Sequence, residues 1–105
     1  MKLGKIVGTV VSTQKEPKVD GLKFFVVRDL GLDLSIKDSF VIAADAVGAG
    51  VGEIVLYASG SSARQTQATT NRPVDATVMA IVDMVDVHGK LVYNKQEHVV
   101  PLYND

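Results

Sequence analysis

Short runs of β-branched residues, each ended by glycine or a polar turn, restrict this chain more than any other feature of its sequence. Lys5-Ile6-Val7-Gly8-Thr9-Val10-Val11-Ser12-Thr13 is the first of them. Branching at Cβ leaves such side chains few χ1 choices, which suits an extended backbone better than a helix. Gln14 to Gly21 contains Pro17 and an Asp20-Gly21 pair and reads as an exposed turn. Leu22 to Arg28 and Phe40 to Ala44 are predicted strands, and Asp29 to Ser39 between them a long loop. Gly48-Ala49-Gly50-Val51-Gly52 then sets three glycines within five residues. A chain needs that where φ is positive or where another backbone comes close. Glu53 to Ala58 is a fourth strand.

One short helix is expected, starting within Ser59 to Gln65. Ser62 is placed to cap it and Gln65, three residues on, to bond back. Thr66 to Pro73 is too polar and turn-forming to prolong it. Ala76 to Val87 carries two signals. Val74, Val78, Ile81, Val82 and Val85 fall at helical spacing, whereas the density of β-branched residues favours a strand. A strand is expected here, because His88-Gly89 can turn it back onto Lys90-Leu91-Val92-Tyr93 as a two-residue hairpin with glycine supplying positive φ. The fold class is therefore mainly β: a small five-stranded barrel of the oligonucleotide-binding type, one short helix, and a C-terminal strand and tail. At 105 residues the chain makes one domain, 1–105, with 88–105 as a C-terminal extension.

Composition removes whole classes of chemistry. The chain has no cysteine, so disulfides, zinc knuckles, iron–sulfur clusters and thiol nucleophiles are excluded. Eleven basic and 12 acidic residues leave a formal charge of −1. That balance creates no long-range field to gather nucleic acid or an acidic membrane, and its weak self-repulsion is compatible with self-assembly. Met1-Lys2-Leu3-Gly4-Lys5 has no sustained apolar run after its charges, unlike a signal peptide. Phe24-Phe25-Val26-Val27 is strand-length, far short of a membrane span. A soluble cytoplasmic domain without membrane contact is expected.

Motifs that suggest catalysis fail on context. Gly48-x-Gly50-x-Gly52 resembles a phosphate loop, but a dinucleotide fingerprint needs its last glycine one residue later and a helix after it. Glu53 stands there instead, a carboxylate that repels phosphate, and a strand follows. Ser12-x-x-Lys15 matches an acylating-serine pattern but lies at a strand end rather than on a buried helix. His88, His98 and Glu97 make too thin a set for a metal, and Asp83 and Asp86 point to opposite faces of a strand. Arg64 has a fork suited to carboxylates or carbonyls, at a subunit contact as well as at a ligand. No catalytic residue, metal or cofactor is expected. An oligonucleotide-binding module is the competing reading, but it needs stacking aromatics in a basic groove. Phe24 and Phe25 face opposite sides and the basic residues are scattered.

Five segments occur in a familiar order: Gly8-Thr9-Val10-Val11-Ser12-Thr13-Gln14-Lys15, Asp45-Ala46-Val47-Gly48-Ala49-Gly50-Val51-Gly52-Glu53, Gly60-Ser61-Ser62-Ala63-Arg64, Pro73-Val74-Asp75-Ala76 and Ile81-Val82-Asp83-x-Val85. Together, from about Leu3 to Val87, they closely resemble the bacterial microcompartment vertex proteins, the family of the ethanolamine-utilisation N and carboxysome L shell proteins. The resemblance implies a homo-pentamer that caps the vertices of a polyhedral protein shell in the bacterial cytoplasm. Hexameric proteins of another family would tile the facets, and no nucleic acid or membrane takes part. It also implies that Gly48, Ala49 and Gly50 lie near a ring axis or subunit contact, and Ser61, Ser62 and Arg64 at or near the interface. Two departures stand out. Asp29 to Lys37 replaces a glycine-bearing turn and could face a partner, and Leu91 to Asp105 lengthens the C-terminus with a piece able to clasp a neighbour.

Overall fold

The computed structural model describes residues 1–97, in which the chain forms seven strands; His98 and the end of the expected tail lie outside the described residues. The strands are β1 (Lys2–Val10), β2 (Phe24–Leu30), β3 (Ile36–Asp45), β4 (Ile54–Ser59), β5 (Ala76–Ile81), β6 (Met84–Val87) and β7 (Lys90–Asn94). The first five close a barrel in the order β1-β2-β3-β5-β4, with β4 returning to β1. Neighbours are antiparallel except β3 and β5, whose parallel seam is only Ala44↔Thr77 and Asp45↔Val78. The barrel expectation holds.

Alternation along each strand fills the barrel. Ile6, Phe25, Val27, Ala43, Val55, Tyr57, Ala76 and Val78 form the core, with Ala49 plugged into it from the β3–β4 connection. Gly4 belongs to that inward set and is a glycine for want of room. A Cβ there would come within 2.4 Å of a Val27 methyl and 3.0 Å of the Arg28 carbonyl oxygen. Just beyond, an irregularity between Ile6 and Gly8 shifts the β1–β2 register. Such a bulge bends the strand and sharpens the coiling that a closed barrel needs.

Three sequence expectations require correction. The long loop Asp29 to Ser39 is a short connection, because β2 runs on through Leu30 and β3 begins at Ile36, and those two residues pair. Asp29 belongs to a strand although it is charged, because its carboxylate is satisfied inside. Tyr57 Oη donates a hydrogen bond to Oδ1, and Ser39 Oγ donates to Oδ2 at 2.6 Å. The expected strand Ala76 to Val87 breaks after Ile81. Val82 donates its N–H to the Ile54 carbonyl, and beyond it β6 pairs with β7 in a separate two-stranded sheet. The expected helix is a 3₁₀ turn over Gly60–Arg64 with Ser59, not Ser62, at its N-terminal cap position. Ser62 Oγ instead donates to the Ser59 carbonyl at 2.8 Å. The His88-Gly89 hairpin is found as expected, both residues having positive φ (55° and 76°).

A second apolar cluster lies outside the barrel. Leu30, Ile54, Val82 and Tyr93 are buried together, with Leu3, Leu34, Ile36, Leu56 and Val85 packed around them. It seats the β6–β7 hairpin against the barrel wall and accounts for the mixed periodicity of the segment: Val82 and Val85 are apolar for this cluster, not for the barrel.

The Asp29–Tyr57–Ser39 network gives stability a defined pH dependence. Burial pushes the Asp29 carboxyl upward, but hydrogen bonds from Ser39 and Tyr57, with the charges of Lys2 and Lys37, outweigh it and hold it below the usual value. Burial, then the bond to Asp29 and its charge, pushes the Tyr57 phenol far above its ordinary range. The depressed carboxylate stabilises the fold above the unfolded aspartate value of about 3.9, and that contribution disappears as pH falls through the folded value. The raised phenol stabilises below the unfolded tyrosine value of about 10 and is lost as pH rises beyond it. Tyr57→Phe, which leaves a buried carboxylate short of a donor, should cost about 1–3 kcal/mol at neutral pH. It should also flatten the decline above pH ~10, as read by urea denaturation across pH.

Candidate functional site

The six residues singled out from sequence fall at the two ends of β4. Gly48, Ala49 and Gly50 lie in the connection before it; Ser61, Ser62 and Arg64 lie in the 3₁₀ turn after it. Six strand residues separate them, about 20 Å at the usual rise per residue, so they do not form one site.

Asp45 organises the first end. Its backbone closes the parallel seam, and its carboxylate accepts the N–H groups of Val47 (3.1 Å), Gly48 (3.1 Å) and Ala49 (3.2 Å). Gly50 donates its N–H to Glu53 Oε1 at 2.7 Å, and Gly52 donates to the Ile6 carbonyl at 2.8 Å. Successive amides of this kind form the concavity that would hold a phosphate, and here the protein's own carboxylates occupy it. Glu53 therefore does more than repel an anion. Its other oxygen takes a 2.6 Å ion pair from Lys95, just beyond β7, and the hydrogen bond to Glu53 raises the Lys95 pKa above its ordinary value. Sequence reasoning missed both Asp45 and Lys95 as partners. An Asp placed two to four residues before a glycine cluster is the local signal for the first; the second, 42 residues away, has none.

The three glycines are not equivalent. Gly48 and Gly52 have φ of +74° and +95°, in the region costly for other residues. Gly50 does not, and a Cβ there would meet nothing closer than Glu53 Oε1 at 3.6 Å, an ordinary contact. Within the chain, neither positive φ nor want of room requires a glycine at position 50.

At the far end, two buried hydroxyls converge on one carbonyl. Thr69 Oγ1 (2.8 Å) and Thr77 Oγ1 (2.7 Å) both donate to the Ala63 oxygen, and the Ala63 methyl is fully buried. Gly60 donates its N–H to the Asp75 carbonyl at 2.8 Å. These bonds fix the turn, leave Ser61 and Ser62 exposed, and direct Arg64 so that Nη1 donates to the Val74 carbonyl at 3.2 Å.

The Ser12–Lys15 pair is not arranged for acyl transfer. Lys15 Nζ donates to the Ser12 carbonyl and pairs with Asp20, while Ser12 Oγ donates to the Gln14 carbonyl. Among the described residues no group of three or more His, Cys, Asp or Glu side chains is placed to hold a metal ion.

The chain is thus a small closed barrel whose loops are held by its own carboxylates, with no buried side-chain polar atom left without a partner among the described residues. The chain belongs to the EutN/CcmL family: residues 1–83 match the family described as ethanolamine utilisation protein EutN/carboxysome. The carboxysome shell vertex protein CcmL of Synechococcus elongatus is 49% identical over 98 residues, 93% of this chain and 99% of that protein. The solved structure of Gloeobacter violaceus CcmL superposes with a TM-score of 0.89 at 42% identity, covering 92% of this chain and all of the other. The pentameric microcompartment shell protein GrpN of Rhodospirillum rubrum superposes with a TM-score of 0.75 at 45% identity, covering 83% and 98%. These relatives are shell proteins, not enzymes.

The difference among the glycines is measurable. Gly48→Val should destabilise by about 1–3 kcal/mol, from backbone strain alone since a Cβ there meets nothing within 4 Å. Gly50→Ala should stay within roughly 0.5–1 kcal/mol of the parent. Equal urea midpoints for the two variants would show that the loop is not shaped as described.

Proposed function

We propose that the chain assembles into a cyclic homo-pentamer that closes a vertex of a bacterial microcompartment shell, beside hexameric proteins that tile the facets. The observation that supports this most is a match over nearly the whole of both chains to shell vertex proteins, including one solved as a pentamer. Geometry gives the role its reason. Hexagons alone tile a plane, and a closed polyhedron needs fivefold corners. A ring built from one repeated head-to-tail contact supplies such a corner. In this reading the Gly48–Gly50 loop lies near the ring axis or a subunit contact, and Ser61, Ser62 and Arg64 lie near the interface. The continuation 88–105 is an extension of the barrel domain; the family match ends at residue 83, before β6.

Native mass spectrometry of the purified chain should show one species of roughly five times 11.2 kDa. A monomer at micromolar concentration would overturn the vertex reading.

The oligonucleotide-binding alternative keeps the barrel but lacks the surface. Phe25, Tyr57 and Tyr93 are buried and Phe24 is half-buried, which leaves Phe40 as the exposed aromatic among the described residues. A single ring without a basic groove is no stacking platform. Fluorescence titration with single-stranded DNA at physiological salt should show no binding tighter than the roughly 10⁻⁴–10⁻⁶ M typical of non-specific contacts.

A further inference from the structure

Two exposed patches carry complementary groups, and the apolar side chains at their centres stand exposed among the described residues, with the Arg28 guanidinium held beside one of them by the Lys37 carbonyl. The first is the outer wall of β2 and β3. Val41 and Ala43 point into the core, so Phe40 and Ile42, 59% and 41% exposed, point out. Val26 lies across from Ile42 and Arg28 across from Phe40. Asp38, two residues before Phe40, shares the outward face and is exposed. This wall ends in an open edge. Because β3 meets β5 only at Ala44 and Asp45, its residues from Ile36 to Ala43 have a strand on one side only among the described residues. Unpaired edges of that kind are managed in native proteins by covering them.

The second patch is the outer face of the β6–β7 hairpin. Val85 and Tyr93 pair with each other and turn into the second apolar cluster. Met84 and Asp86 alternate to the far side, and Leu91 stands opposite Asp86. Met84 is 60% and Leu91 49% exposed, with Asp86 exposed beside them. Neither Asp38 nor Asp86 takes part in an ion pair among the described residues.

We infer that these patches meet between subunits: the hairpin of one copy lies on the β2–β3 wall and open β3 edge of the next. Resting on the ring reading above, this assigns its interface. Each patch has an apolar pair at its centre, Phe40 with Ile42 and Met84 with Leu91. Arg28 and Asp38 flank the pair on the wall, and Asp86 flanks the pair on the hairpin, so that the Asp86 carboxylate is complementary to the Arg28 guanidinium. Apolar centres with charges toward the rim are the anatomy of a protein interface. The two patches differ, so the contact is head-to-tail, and each subunit gives one and receives one. A ring needs that asymmetry; a twofold dimer would pair one patch with itself.

Phe40→Asp and Leu91→Asp place a charge at the two centres without touching the core. Each is expected to lower the assembled fraction in native mass spectrometry at least tenfold, with an unchanged circular dichroism spectrum. The absence of native cysteine allows a second test that leaves folding aside. Ile42→Cys and Leu91→Cys in one chain, treated with a short bismaleimide, should give a covalent ladder up to five chains, whereas either single variant stays monomeric on denaturing gels. A ring that survives both aspartates and gives no ladder overturns this surface and leaves the pentamer intact. A parent protein that is monomeric in the mass spectrometer removes the ring and this interface together.

Discussion

The barrel is closed by very little. Four of its five contacts are antiparallel ladders several residues long, and the fifth is a parallel seam of Ala44 and Asp45 against Thr77 and Val78. Asp45 is fixed in two ways: its N–H donates to the carbonyl of Lys23, just before β2, and its side chain gathers the amides of the turn that follows. Ala49 can then drop into the core, and Gly52 and Glu53 can return the chain to Ile6 on β1. The shape of the β3–β4 connection and the start of β4 both follow from that carboxylate.

A second dependence runs through Asp29 and Tyr57. A tyrosine buried at the barrel centre must satisfy its hydroxyl, and a carboxylate is a strong acceptor. Asp29 can be drawn inside because Ser39 satisfies its other oxygen. That arrangement keeps β2 extended into Leu30 and brings Leu30 opposite Ile36, where both join the cluster that seats the hairpin. The polar network and the outer apolar cluster are thus consecutive along one strand.

The parts legible in the sequence are those governed by local chemistry. β-branched runs gave the strands, His88-Gly89 the hairpin turn, and the glycine cluster the tight connection before β4. What escaped depends on partners far along the chain. Asp29 reads as a loop residue until Tyr57, 28 positions away, is known to stand over it. Gly4 looks like an indifferent strand glycine until Val27 is packed against it. The break at Val82 is silent because an apolar residue serves a barrel and an outer cluster equally well. The turn Gly60–Arg64 was located but misassigned in type, since its stability comes from Thr69 and Thr77 binding the Ala63 carbonyl and not from a side-chain cap. Among the glycines before β4, the sequence does not distinguish Gly50 from Gly48 and Gly52, which alone of the three have positive φ.

The Glu53 carboxylate divides its two oxygens between parts of the chain that are otherwise independent, the Gly50 amide and the Lys95 ammonium. Loop and hairpin therefore share one anchor. Lengthening the Gly48–Gly52 connection by even one residue would swing that carboxylate away and unseat the hairpin as well. The Thr66–Asn71 segment carries no such shared anchor to the hairpin. Among related chains, length variation should accumulate there and be scarce between Asp45 and Glu53, a pattern set by leverage and not by the chemistry of any ligand.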